Sequence, residues 1–168
     1  MNAEASATSN PIAMRLSDII TSDRILVDRD GTLPNKAEAL RALSHLLSSA
    51  VSAPEEEVLA LLLEREQLQS TGIGDGVAIP HSALEHAEAQ AAALLLFPKG
   101  IDFDSIDGQP VHIVFGVVGP KRATGEHLRT LARISRLLRD DATRKKLANA
   151  ESAKVAFELI ESHDATAK

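Results

Sequence analysis

Residues Val111–Val118, reading VHIVFGVV, are apolar on both faces of any strand they form, apart from His112. A strand of that kind needs cover on both sides, which a single layer cannot give. The cover is present in the sequence. Ala39, Leu40, Leu43, Leu46, Leu47 and Ala50 recur at helical spacing, with Arg41, His45 and Ser48 on the opposite face. A second helix opens after Pro54, with Glu55, Glu56 and Glu57 at its positive end. Val58, Leu61, Leu62, Arg65 and Leu68 continue it, and Gly72 is a stop signal. Beyond the strand, helical segments are expected from about Thr124 to Arg139, after Asp141, and from about Ser152 to Ile160. On the first of these, Leu128, Leu131, Ala132, Ser135 and Leu138 share a face. Further apolar runs at 24–27, 77–79 and 91–97 end in Asp, Gly or Pro and read as strands. The pattern predicts one α/β domain, a mixed sheet of about four to five strands with helices on both faces. The domain is expected to span 15–162, with a mobile tail at 1–14 and a short tail at 163–168.

Composition narrows the function classes. A net charge of -6 argues against a general nucleic-acid binder, which needs a basic surplus. With no Cys, thiolate catalysis, disulfides and Cys-based metal sites are excluded. No apolar run approaches the ~18 residues of a membrane helix, and the first residues lack the basic and apolar segments of a secretory signal. A cytoplasmic protein, not embedded in a membrane, is the expectation.

Six histidines offer chemistry near neutral pH. His45 falls on a polar helix face, His163 in the trailing tail, and His86 in a helical-looking, alanine-rich stretch. His112 alternates with Val111 and Ile113 near a strand start, and all four read as ordinary surface or packing residues. His81 differs. It follows Pro80 at the end of a short strand, beside Thr71-Gly72-Ile73-Gly74-Asp75-Gly76. Backbone amides of such a loop can cradle an anion, and neutral imidazole is a nucleophile toward phosphorus. The loop is neither a P-loop nor a dinucleotide fingerprint, since no Lys-Ser/Thr follows and the helix precedes it. Spacing on the predicted helices supports no metal pair, and G-x-S-x-G is absent. No cofactor is expected.

The run Ser70–His81, STGIGDGVAIPH, preceded by Glu64-Arg65-Glu66, closely resembles the active-site segment of phosphotransferase-system enzyme IIA domains of type 2, the fructose/mannitol/nitrogen-regulatory kind. Gly100–Asp104, Asp107–Val111 and His127-Leu128 extend the resemblance over roughly 15–162. It implies the mannitol-type IIA fold and a phosphoryl group accepted on His81 from a small, HPr-like histidine phosphocarrier protein. It also implies a supporting role for Arg65 and a second active-site histidine at His127, while the loop residues Thr71, Gly72, Gly74 and Gly76 are expected, from their backbone amides, to form the phosphoryl cradle. Ser82 stands where the family often has Gly, and His112 where it often has an acidic or amide residue.

Those roles make physical sense. Phosphoryl transfer between imidazoles needs positioning and charge neutralisation. Arg65 offers a planar fork of donors, where a bland reading would pair it with Glu64 or Glu66. His127, in the first turn of a helix capped by Thr124, would stay neutral and donate one hydrogen bond. The resemblance is nearest to the nitrogen-regulatory members, which act on regulatory targets such as a transporter subunit or sensor kinase. A stand-alone sugar-specific IIA relaying phosphate to a IIB domain, or a binding module without phosphotransfer, are the alternatives.

Overall fold

A computed structural model describes residues 15–166, so the expected leading tail lies outside the described residues. The sheet has six strands: β1 (Ile25–Val27), β2 (Gly72–Gly74), β3 (Val77–Ala78), β4 (His81–Leu84), β5 (Ala91–Ile101) and β6 (Val111–Pro120). Their order is β1-β5-β6-β3-β2, with β4 also paired to β6. Helices α1 (Lys36–Val51), α2 (Glu55–Leu68), α3 (Thr124–Arg139), α4 (Asp141–Ala148) and α5 (Ala153–Thr166) complete the domain.

The antiparallel pair β5–β6 forms the centre, with Leu94 opposite Phe115 and Leu95 opposite Val114. Alternation along β5 feeds two cores. Leu94 and Leu96 pack with Phe115, Ile134, Leu137 and Ile160 on one side. Ala93, Leu95 and Phe97 pack with Leu40, Leu43, Leu47 and Leu62 on the other. The sheet is therefore covered by α1 and α2 on one face and by α3, α4 and α5 on the other. Truncating a buried leucine of this kind to alanine typically costs about 2–5 kcal/mol.

The sheet has six strands against the expected four to five, and the two that no apolar run announced, β2 and β4, each have a local cause. The glycine loop is itself a ribbon, because Gly74, Asp75 and Gly76 all adopt positive φ and reverse the chain between β2 and β3. The stretch after His81, read from sequence as helical, forms β4 in parallel register with Val117–Pro120, and His86 lies in the turn that follows. This pairing also carries β6 beyond its expected end at Val118 through Gly119-Pro120. β5 likewise continues past Pro98, with a register shift between Leu96 and Ile101. His112 braces that irregularity by donating from Nδ1 to the Phe97 carbonyl at 2.9 Å.

At the C-terminus, residues 163–166, expected in a tail, extend α5 to Thr166. The Asp164 carboxylate accepts the Leu16 and Ser17 amides at 3.2 and 2.9 Å, tying the helix to the first described turn. On α3 the buried residues are Thr130, Ile134, Leu137 and Leu138, so of the expected face only Leu138 is buried. Its apolar residues span more of the helix circumference than the sheet covers. Leu128 is left 60% exposed and Leu131 half-buried.

Candidate functional site

The strand that carries His81 is broken by Pro80. β3 and β4 run along the same edge of β6, pairing Val77–Ala78 with Ile113–Val114 and His81–Leu84 with Val117–Pro120. Between them Ile79 turns away, its amide donating to the Thr71 carbonyl at 3.0 Å. The Ile79 carbonyl accepts from His81 Nδ1 at 2.7 Å. A carbonyl can only accept, so Nδ1 carries the proton and Nε2 of the neutral ring keeps its lone pair. Burial pushes the His81 pKa down, and the Arg65 charge pushes it further the same way. The Ile79 hydrogen bond and the Glu66 charge act against this, and the net shift is downward from 6.5.

His81 lines an open cavity of about 270 Å³ with Arg65, Gln69, Ser70, Thr71, Ile73, Ile79, Leu131 and Ser135. Arg65, in the last turn of α2, donates from Nη1 to the Gln69 carbonyl at 2.9 Å and pairs with neither Glu64 nor Glu66. The His127 ring lies 5.8 Å from the His81 ring, centroid to centroid, tilted by 50°. It sits in the first turn of α3, as expected. The cap differs from expectation: the helix begins at Thr124 itself, whose hydroxyl donates back to the Lys121 carbonyl at 3.2 Å. Burial, and secondarily the neighbouring His81, push the His127 pKa down. Its Nδ1 is buried without a hydrogen-bond partner. A proton there would bury an unpaired donor, so the neutral ring carries its proton on Nε2.

The glycine loop is built differently from the expected cradle. Thr71 lines the His81 cavity, but its amide and hydroxyl both donate to the Glu66 carboxylate, at 2.9 and 2.7 Å. The Gly72 amide donates to Ser70 Oγ at 3.1 Å, and a Cβ at Gly72 would lie 2.9 Å from the Ser105 Cα. Gly74 lines a neighbouring cavity with Val77 and Arg139, while the Gly76 carbonyl accepts the amides of His112 and Ile113. These glycines let the hairpin press against residues 105–113. The second motif of the chain serves the same end: Asp107 accepts the amides of Asp75 and Gln109 at 3.3 and 3.0 Å.

Two residues were not singled out in the sequence as site residues. Glu66, buried to 5% side-chain exposure, pairs with Lys36 Nζ at 2.7 Å, and Lys36 lies 5.1 Å over the Phe103 ring. Helical spacing puts Glu66 one turn beyond Leu62, on the face that buries Val58 and Leu62, so its cover was legible in the sequence while its partners were not. Of the remaining histidines, His45 is exposed and pairs with Glu55 across α1 and α2 at 3.0 Å. Among the described residues no group of three His, Cys, Asp or Glu is arranged to hold a metal ion.

A sheet with this topology carries a neutral imidazole beside an arginine free of carboxylate partners and a second imidazole, a donor set suited to a phosphoryl group. Residues 18–163 match the type-2 EIIA family of the phosphoenolpyruvate-dependent sugar phosphotransferase system, and the chain belongs to that family. Within the family it is 36% identical to a nitrogen regulatory protein of Bradyrhizobium diazoefficiens, over 92% of this chain and 99% of that one. The corresponding protein of Escherichia coli is 32% identical, covering 95% of this chain and 97% of its own. The fructose-specific EIIABC component of Bacillus subtilis is also 32% identical over 90% of this chain, which corresponds to 24% of that larger protein. Among solved structures, IIA-Ntr of Neisseria meningitidis superposes with a TM-score of 0.80 at 28% identity, covering 86% of this chain and 98% of that one. The mannitol IIA of Escherichia coli, at 22% identity and a TM-score of 0.69, shares the fold, covering 83% of this chain and 97% of its own. Among the described residues no helix is long and apolar enough to cross a membrane.

Proposed function

We propose that this chain is a nitrogen-regulatory enzyme IIA that takes a phosphoryl group from an HPr-like histidine phosphocarrier protein onto Nε2 of His81. The observation that carries the reading is the Nδ1–Ile79 hydrogen bond, which leaves Nε2 as the free nucleophile of a neutral ring in a cavity shared with Arg65. In the transfer, the carrier's N–P bond breaks as the His81 Nε2–P bond forms, and the carrier nitrogen recovers its electron pair. Little covalent work falls to the protein, and the negative charge on the three equatorial oxygens needs donors. Arg65 supplies a charged fork, and His127 supplies Nε2–H. No metal or cofactor enters the scheme. Incubation with phosphoenolpyruvate, the general phosphotransfer enzyme and such a carrier tests it by mass spectrometry. An acid-labile phosphate is expected, and its absence overturns the reading.

The depressed His81 pKa sets the pH dependence. Only the unprotonated ring attacks, and an ordinary imidazole is half-protonated at 6.5. Initial rates of uptake are therefore expected to exceed half of their plateau at pH 6.5, with the midpoint lying below it. A midpoint at or above 6.5, in rates corrected for the carrier's own titration, contradicts the assignment.

Phosphorylation is proposed to act as a switch on partner binding. Ile73 and Ile79 line the His81 cavity, and Ile73 and Leu128 are 50% and 60% exposed. Adding about -1.5 to -2 charges at the centre of such a face penalises any apolar surface docked on it. The unmodified protein should bind its regulatory target, a transporter subunit or sensor kinase, more tightly by about 5- to 150-fold. Calorimetry with both forms against a target recovered by pull-down measures the ratio. Equal affinities favour the second reading, a sugar-specific IIA that passes phosphate to a IIB domain, which the similarity to a fructose-specific EIIABC component supports.

A further inference from the structure

We propose that Glu66 and Lys36 are positioning residues for phosphoryl transfer, holding Arg65 and Thr71 in register with His81. The inference rests on the reading of His81 as the phosphoryl acceptor. Two aspartate or glutamate side chains are buried among the described residues, Asp28 and Glu66. Asp28 closes only its own loop, accepting the amides of Thr32 and Leu33 at 2.9 Å each. Glu66 closes its own loop through Thr71 and in addition reaches a separate helix through Lys36. Its Oε2 receives Lys36 Nζ, from the first residue of α1, at 2.7 Å and the Thr71 amide at 2.9 Å. Its Oε1 receives the Thr71 hydroxyl at 2.7 Å. The carboxylate thus straps the last turn of α2 to the segment that enters β2.

Arg65 is the neighbouring residue in that same turn, about 100° around the helix, and lines the His81 cavity while Glu66 faces away from it. Its own anchorage is slight, one hydrogen bond to the Gln69 carbonyl. The register of its guanidinium is set mainly by whatever holds the turn, and the strap does so with a buried, charge-compensated contact. Removing one partner leaves the other charge uncompensated and buried, so the turn must roll or open to rehydrate it. Either movement carries Arg65 with it. A misplacement on the order of 1 Å near a transferring group is worth up to about 10² in rate. Asp104, 3.5 Å from Lys36 Nζ and exposed, shares the lysine but leaves the short contact to Glu66. The charged and titratable groups that bear on His81 are Arg65 and Glu66 from α2 and His127 from α3. Glu66 therefore also acts on the imidazole through space.

The test uses the full chain and its variants Glu66→Gln, Lys36→Met and Lys36→Arg. Transfer from the phosphorylated carrier yields kcat and KM, and the His81 ring-proton resonance yields its titration midpoint in the absence of any phosphoryl donor. Glu66→Gln and Lys36→Met are expected to lower kcat about 10-fold or more, with KM for the carrier within about twofold, since neither residue borders the cavity mouth. Lys36→Arg keeps the charge and should restore most of the rate. In Glu66→Gln the His81 midpoint should fall, because a carboxylate that favours the imidazolium has been neutralised. Folded variants that transfer at the wild-type rate overturn the proposal, as does a loss confined to KM. A rate loss with an unmoved His81 midpoint and no rescue by Lys36→Arg marks general destabilisation and overturns it as well. A wild-type protein that takes up no phosphate brings down the functional reading itself, which separates the two failures.

Discussion

Replacing His81 by alanine is expected to abolish phosphoryl uptake completely, with no residual acid-labile phosphate detected by mass spectrometry after incubation with a phosphorylated carrier. No other described histidine combines a free, accessible ring nitrogen with nearby donors for phosphoryl oxygens. His112 has the same Nδ1-to-carbonyl tie as His81, but its ring lies against Gly76 and Gly100 instead of beside an arginine, and His45 is an exposed residue paired with Glu55. His127 is the one competitor, 5.8 Å away, but its Nδ1 is buried. Attack by its remaining nitrogen would require the proton to move onto Nδ1, where no acceptor exists. The half-buried His81 side chain caps no helix and fills no core, so the variant should fold and melt like the parent. Phosphate found on His127 or elsewhere in His81→Ala would show that the acceptor has been misassigned.

Arg65→Ala and His127→Ala are each expected to slow uptake by about 10²–10³ without changing its site, the usual cost of losing one preorganised donor to a developing anion. Quenched-flow labelling by a phosphorylated carrier measures it. Arg65→Lys should recover only part of the rate, because an ammonium keeps the charge but not the planar two-donor fork. The double variant should lose less than the product of the single losses, since both donors serve the same three oxygens. Folding should survive in each case: Arg65 makes one solvent-facing hydrogen bond, and His127 is only partly buried. Wild-type rates in both single variants would leave these side chains as ordinary helix-surface residues.

Much of this arrangement was legible before the structure. The run from Ser70 to His81 specifies a strand, a proline break and a histidine locally, because Pro80 removes an amide wherever the chain goes. His127 was placed in the first turn of a helix by simple periodicity, and it is there. The glycine loop shows where sequence reading runs out. Alternating glycines permit both an anion cradle and a tight ribbon, and which forms depends on what faces them. Here Ser105, Asp107 and His112 press against the loop, and Glu66 takes the Thr71 donors. The face of α3 was misjudged for a related reason. Its leucines outnumber the positions that the sheet can cover, so periodicity alone could not tell which would remain to border the site.

What the sequence by itself determined is whatever a short stretch of chain dictates locally: the two-sided strand at 111–118, the helices that must cover it, and the histidine at a proline-broken strand end. The tertiary structure alone decided which of the charged groups meet. Glu66 follows Val58 and Leu62 on one helix face, but nothing in the spacing pairs it with Lys36, and Arg65 looks like the natural partner of its neighbouring glutamates. Once α1 closes over α2, burial makes the Lys36–Glu66 contact short, holds Thr71, and leaves Arg65 with no carboxylate to neutralise it. The reason is electrostatic: exposed ion pairs are nearly neutral in energy, while a buried charge must find its partner. Burial is a property of the packed chain, and no residue carries it in its own identity.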